Sequence, residues 1–227
     1  MSKTSNDSDS ASWPDTSSPN QALFTKMADD LASKGLSILP AALPDELCLA
    51  LRAQQISMDD DQFRQAGIGR GTDAGHNELV RTDQICWISK QTPAGSMWLE
   101  WADSLRLFLN RELMLGLFAF ESHFAHYRPG AFYKRHQDAF VGEANRVLSL
   151  VVYLNPGWCS DDGGELVIYQ DSVDQQGVRV MPLMGTVVAF LSEGFPHEVL
   201  PAQKDRYSVA GWYRMNTTKS GRVDPPE

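Results

Sequence analysis

From about residue 120 to residue 214 the chain is a succession of short apolar, β-branched and aromatic runs, each closed by turn-forming residues. The runs are ESHFAHY, RVLSLVVYLN, GELVIYQ, GVRVMPL, GTVVAFL, HEVLP and RYSVAGWYR. Gly130, Asn155-Pro156-Gly157, Asp161-Asp162-Gly163-Gly164, Gly177, Gly185 and Gly194 punctuate them. Evenly spaced short strands with such turns predict a β-sandwich or barrel. A further strand is predicted in VRTDQICWI, residues 80–88.

The first half reads differently. Leu23, Phe24, Met27 and Leu31 share one helical face, with Asn20 as the expected cap and Gly35 as the stop. A second helix is predicted from Pro44, with Asp45 and Glu46 in the dipole-favoured first turn and Leu47, Leu51 and Ile56 on its apolar side. A third spans about Ser96 to Met114, where Trp98, Trp101, Leu105 and Phe108 form a stripe suited to packing on a sheet. Helices first and strands later predict a mainly β domain, buttressed by about three N-terminal helices.

The 227 residues suit one domain with appendages. Residues 1–20, rich in Ser, Asp, Asn, Thr and Pro, are expected to be disordered. Helices and a glycine-rich loop fill 21–79, the β domain 80–217, and a flexible end 218–227. AGIGRGTDAGHNEL, residues 66–79, lacks the GK[ST] of a phosphate loop and reads as a lid. No leader peptide and no membrane span are expected. Three scattered cysteines, Cys48, Cys86 and Cys159, without a CxxC, point to reduced thiols and a cytoplasmic setting. A net charge of −9 argues against a broad nucleic-acid surface.

Chemistry enters with YKRHQDAF, residues 133–140. Residues i and i+2 of a strand point the same way, so His136 and Asp138 can offer two ligands to one metal ion. An Fe(II) site of the facial type needs a second imidazole and an open face. Of His76, His123, His126 and His197, the last lies at the start of a later strand, with room for about four strands between. His123 and His126 share one strand at a spacing that turns them to opposite faces. Arg206 follows His197 by nine residues and can pair with the far carboxylate of a chelating oxo-acid, with Tyr153 adding a hydroxyl.

His-X-Asp, the distant His and the Arg nine residues later resemble the Fe(II)- and 2-oxoglutarate-dependent dioxygenases. The stretches RTDQICWI, HYRPGAFYKRHQD, NRVLSLVVYLN, GGEL, FPHEVLP and RYSVAGWYR resemble most closely the prolyl hydroxylases of hypoxia-inducible factor and their bacterial counterparts. The resemblance covers roughly residues 80–214 and implies a double-stranded β-helix, the distorted jelly roll of the cupin type. It implies Fe(II), 2-oxoglutarate and O2, with ascorbate in support, and a monomeric, oxygen-sensing enzyme. By position it makes His136, Asp138 and His197 iron ligands and Arg206 and Tyr153 the co-substrate anchor. Tyr127 corresponds to the tyrosine near the iron-bound end of the co-substrate, and Leu166, Val199 and Trp212 to pocket walls. Arg81, Asp83 and Arg146 correspond to a substrate-side polar group. The implied reaction is 4-hydroxylation of a prolyl residue in a protein, with elongation factor Tu a candidate. Two departures stand out: YRPGAFY is one residue shorter than in the animal enzymes, and Ala210 replaces a hydroxyl residue.

Each residue also has a plainer reading. His136 and Asp138 form an exposed polar pair, Arg206 a surface ion pair with Asp205, and Tyr153 and Tyr127 ordinary packing. Arg81, Asp83 and Arg146 form a structural salt-bridge cluster. Leu166, Val199 and Trp212 are core-like in either case. The rival functions are the same oxygenase chemistry on a lysyl residue, a small molecule or an alkylated nucleobase, and a non-catalytic sensor module.

Overall fold

A computed structural model describes residues 19–66, 79–139 and 145–216. The tail up to residue 18 expected to be disordered, most of the stretch read as a lid, with His76, as well as Phe140 and the end expected to be flexible, lie outside the described residues.

Three helices precede or interrupt the first strands: α1 (Pro19–Lys34), α2 (Asp45–Ser57) and α3 (Pro93–Leu113). Around them run β1 (Leu36–Leu39), β2 (Arg64–Gln65) and β3 (Gln84–Trp87). Then follow β4 (Leu117–Tyr127), β5 (Tyr133–His136), β6 (Arg146–Tyr153), β7 (Leu166–Ile168) and β8 (Val178–Val180). β9 (Val187–Leu191), β10 (His197–Val199) and β11 (Arg206–Met215) complete the strands among the described residues. A seven-stranded sheet has the order β1-β9-β6-β11-β4-β3-β2, and a four-stranded sheet the order β5-β10-β7-β8. All the paired strands are antiparallel, as the expected two-sheet jelly roll requires.

The central strands of the larger sheet, β6, β9 and β11, have two largely buried faces. Along β11, Val209 and Tyr213 join the core shared with Met27, Leu51, Trp98 and Leu105 of the helices. The opposite face turns to the smaller sheet, where Ala125, Tyr127, Tyr153, Leu166, Ile168, Val188, Phe190 and Val199 form a second core. The near-continuous apolar run of β6 follows from this double burial.

The helix stripes hold in α1 and α3. Phe24, Met27 and Leu31 are buried, and Gly35 ends α1 at φ 67° with its N–H donating to the Leu31 carbonyl. Asn20 is not the cap. The helix begins at Pro19, and the Asn20 Oδ1 instead accepts from the Trp101 indole at 3.2 Å. Thr92 caps α3 through the Gly95 N–H, so the helix starts at Pro93, ahead of the expected Ser96. In α2, Leu47 and Leu51 are buried, but Ile56 is exposed. Nine residues past Leu47 is half a turn out of phase, and the buried place falls to Gln55, which donates to the Ala125 carbonyl at 2.9 Å. β1 was not expected; LSIL is too short to announce itself and is held by pairing with β9. Among the described residues no helix is long and apolar enough to cross a membrane.

Candidate active site

β5 and β10 pair so that His136 and His197 stand directly opposite, ring centres 4.2 Å apart. Four strands, β6 to β9, separate them in sequence. Asp138 is not on the strand with His136 as expected: β5 ends at His136, and Asp138 lies in the bend beyond. It still reaches both rings, at 3.7 Å from His136 Nε2 and 3.6 Å from His197 Nε2. The three residues each offer a ligand atom, all within 4.8 Å of one another.

The imidazoles are oriented by backbone. His136 Nδ1 lies 2.8 Å from the Lys134 carbonyl and His197 Nδ1 3.0 Å from the Phe195 carbonyl. A carbonyl only accepts, so each Nδ1 carries the proton and each Nε2 keeps a lone pair for a metal. Tyr133 stacks on His136 at 3.5 Å. Ser149 donates to Asp138 Oδ2 at 2.7 Å and is itself 2.9 Å from Ser192. Burial pushes the Asp138 carboxyl up, but His197, His136 and Ser149 outweigh it and hold it well below the usual carboxylate range. Burial and the neighbouring His136 bring His197 down to about 4, against the pull of Asp138. One anionic oxygen donor and two neutral nitrogen donors fit Fe(II).

Arg206 is buried to 1% exposure. Its Nε donates to the Gly164 carbonyl at 2.7 Å and its Nη1 to Ser208 Oγ at 3.2 Å. Among the described residues no carboxylate pairs with it; the adjacent Asp205 instead pairs with His126 at 2.7 Å. The guanidinium carbon lies 4.7 Å from the Tyr127 ring centre and 5.1 Å from that of Tyr153. Cation–π contact offsets part of the desolvation of a buried cation, which still costs several kcal/mol. The buried Tyr153 hydroxyl, beside this cation, has no hydrogen-bond partner of good geometry. A dicarboxylate's far end would satisfy both groups, so the residues fit 2-oxoglutarate as well as the metal. Gly164, at φ 69°, is required here: a Cβ would stand 3.0 Å from Arg206 Cδ.

The remaining expected residues divide. Leu166 and Val199 belong to the core that holds Tyr127 and Tyr153. Trp212 does not join that core. It sits two strand positions further along β11 than Ala210, under Arg146 at 3.6 Å and against His123 at 5.4 Å. The expected polar group of Arg81, Asp83 and Arg146 splits in two among the described residues. Arg81 binds Asp83 through two hydrogen bonds of 2.8 and 2.6 Å and covers Tyr133 at 4.2 Å. Arg146 binds Glu121 at 2.8 Å, which Arg214 also approaches at 3.3 Å. His126 packs on Tyr207 and Phe63, on the other face of β4 from His123.

Sequence reasoning missed Ser149 and Ser208. The signal was there: Ser149 is the one small hydroxyl residue in the apolar run of β6 and shares a strand face with Tyr153.

Residues 122–214 match the family profile described as the 2OG-Fe(II) oxygenase superfamily. A solved prolyl-4-hydroxylase from Pseudomonas putida is 41% identical, over 86% of this chain and 100% of its own, with a TM-score of 0.75. A prolyl hydroxylase from Trichoplax adhaerens, solved in complex with a peptide fragment of the hypoxia-inducible factor oxygen degradation domain, is 25% identical. That match covers 86% of this chain and 90% of the other, with a TM-score of 0.74. A prolyl 4-hydroxylase from Phytophthora capsici shares the fold at 21% identity, over 93% of this chain and 70% of its own, with a TM-score of 0.63. The family uses Fe(II) and 2-oxoglutarate with O2, and His136, Asp138 and His197 form the group suited to that iron. The chain therefore belongs to the 2OG-Fe(II) oxygenase superfamily and is a 2-oxoglutarate-dependent dioxygenase.

Proposed function

We propose that this dioxygenase is a protein prolyl 4-hydroxylase. The observation that carries the reading is its 41% identity, over the full length of the Pseudomonas putida prolyl-4-hydroxylase, around a site whose metal-binding and cation groups converge in one barrel. The peptide bound to the Trichoplax enzyme supports a polypeptide substrate. A proline of elongation factor Tu is the first target to test.

In this reading His136, Asp138 and His197 hold Fe(II), and Arg206 with Tyr153 receives the far carboxylate of 2-oxoglutarate. Tyr127 faces the co-substrate, and Leu166 and Val199 close the walls around it. When bound, iron and 2-oxoglutarate supply the oxidising chemistry that inserts one oxygen atom into a substrate C–H bond as succinate and CO2 form. The chain's part is geometric and electrostatic. The Lys134 and Phe195 carbonyls hold the imidazoles with Nε2 inward. Ser149 keeps Asp138 ionised and fixed. The apolar core around Tyr127 and Tyr153 excludes water from the buried cation, which strengthens its pull on a carboxylate. Arg81, Asp83 and Arg146 shape the side where the polypeptide enters.

The test combines purified protein, Fe(II), 2-oxoglutarate and bacterial lysate. Succinate release and a gain of one oxygen atom on a protein proline are expected, and both vanish in His136→Ala. Absence of turnover in the wild type, or turnover undiminished in His136→Ala, overturns the iron roles. Oxygen gained on lysine or a nucleobase keeps the iron roles and removes the prolyl assignment.

A further inference from the structure

β5 and β10 meet at the metal site through an irregular ladder. His136 stands opposite His197, and Tyr133 opposite Val199. Lys134 and Arg135 of β5 therefore face a single residue of β10, Glu198. This is a β-bulge, in which an extra residue bends the strand and re-aims the side chains beyond it. In a regular strand Tyr133 and His136, three positions apart, would point to opposite faces. Here they share a face and stack, with 14° between their planes. The bulge also supplies the Lys134 carbonyl that accepts from His136 Nδ1 at 2.8 Å. It thus turns His136 toward the metal site and fixes its tautomer.

A bulge disrupts the ladder locally, so its shape must be held by side chains. The Arg135 guanidinium lies over the Tyr169 ring at 3.7 Å. Its Nη1 donates to the Asp174 carbonyl at 2.9 Å and its Nη2 to the Asp171 carbonyl at 2.5 Å. The Tyr169 hydroxyl donates to Glu198, the residue that faces the bulge. That bond and burial push the Tyr169 phenol up, so Tyr169 keeps its proton. Strand alternation sets Glu198 on the other face of β10 from His197 and Val199, so these contacts lie behind the site. The loop that receives Arg135 is itself fixed. Asp174 accepts from the backbone N–H groups of Gln170, Gln176 and Gly177 at 3.0, 2.9 and 3.2 Å. A Cβ at Gly177 would stand 2.7 Å from Val167 Cγ1, so the loop closes tightly on β7.

We propose that Arg135, Tyr169 and Glu198 form a positioning clamp that holds this bulge and, through the Lys134 carbonyl, orients His136 toward the iron. Arg135 acts through the bulge and not as a ligand. The clamp acts on one histidine of the two. His197 is oriented by the Phe195 carbonyl at 3.0 Å, which belongs to the turn before β10 and not to the bulge. The role is the same whichever substrate the enzyme takes.

The test uses the full chain with three readouts. The imidazole ¹⁵N and Nδ1–H resonances are read in the zinc-loaded protein, Fe(II) affinity by competition with a chelator, and 2-oxoglutarate affinity with metal saturating. Arg135→Leu is expected to shift and broaden the His136 resonances while those of His197 stay in place. It lowers Fe(II) affinity about 10-fold, the usual loss when an outer partner of a metal ligand is removed. Tyr169→Phe and Glu198→Leu each remove one bond of the clamp and move the same His136 signals by less. Glu198→Gln, which keeps an acceptor for Tyr169, returns them to the wild-type positions. The 2-oxoglutarate affinity changes less than about twofold throughout, because the groups that Arg206 touches are separate from the clamp. Equal shifts of His136 and His197, or unmoved His136 signals in a folded Arg135→Leu, overturn the proposal. If Arg135→Leu fails to fold, Tyr169→Phe and Glu198→Leu decide by the same criterion.

Discussion

Arg206 and Tyr153 are a buried cation and a buried hydroxyl 5.1 Å apart, guanidinium carbon to ring centre, with no anion between them among the described residues. Both are buried to 1% exposure or less. Such a pair is unfavourable until a carboxylate arrives.

Replacing Arg206 by methionine should therefore separate stability from binding. The co-substrate-free variant is expected to unfold at or above the wild-type temperature. It should no longer gain from added 2-oxoglutarate, whereas the wild type gains about 2.7 kcal/mol at a concentration 100 times Kd. Thermal shift with and without 2-oxoglutarate checks this. A variant still stabilised by the co-substrate as the wild type is would remove Arg206 from the binding site.

Gly164→Ala acts on the same cation without touching its charge. The added methyl meets Arg206 Cδ at 3.0 Å and Ala202 Cβ at 3.1 Å, at a φ of 69° that alanine resists. A loss of roughly 1–2 kcal/mol in stability is expected from the backbone strain. The KM for 2-oxoglutarate should rise while Fe(II) affinity stays unchanged.

Ser149→Ala should do the reverse. Asp138 loses its 2.7 Å donor, so the carboxylate is less fixed and less easily ionised. Fe(II) affinity should fall by about 10–100-fold, read by competition with a chromogenic chelator. His136→Ala and Asp138→Asn, which remove ligand atoms, should abolish Fe(II) binding.

His123 gives the metal-free protein an acid limb. A free imidazole titrates near 6.5, and burial lowers His123 to about 4. Between these values the unfolded chain binds the proton and the folded protein does not. Stability is full above the unfolded value and falls as pH drops toward the folded one, by about 3 kcal/mol. His197, also lowered to about 4, adds a loss of the same sign. Urea unfolding at several pH values should show the decline, and His123→Leu should flatten it by about one proton. An unaltered slope would mean that His123 titrates normally in the folded protein.

Trp98 ties the helices to the sheet. It is fully buried and donates to Ser122 Oγ of β4 at 3.0 Å. Trp98→Ala should cost about 3–5 kcal/mol, measured by denaturant unfolding.

Much of the site was legible because it follows strand periodicity and fixed spacing. His136, His197 and Arg206 begin or end short runs bounded by turn residues. The interior parity of β6 and β11 carries Ser149 with Tyr153, and Ser208 with Arg206 and Trp212. Ile56 was misread because a single apolar residue half a turn out of phase does not override the helix period. β1 stayed hidden because four residues hold too little pattern to distinguish a strand from a helix end.

The sequence alone determined that helices come first and a strand-rich half follows, and it determined the residue types able to bind iron and a carboxylate. These depend on local propensity and periodicity, which are written along the chain. Only the tertiary structure decided that Asp138 reaches both histidines from beyond its strand, that Arg206 has no carboxylate partner among the described residues, and that Arg146 turns to Glu121 rather than to Asp83. These are distances between residues far apart in sequence, set by register across the ladders and by the tight turn at Gly163 and Gly164.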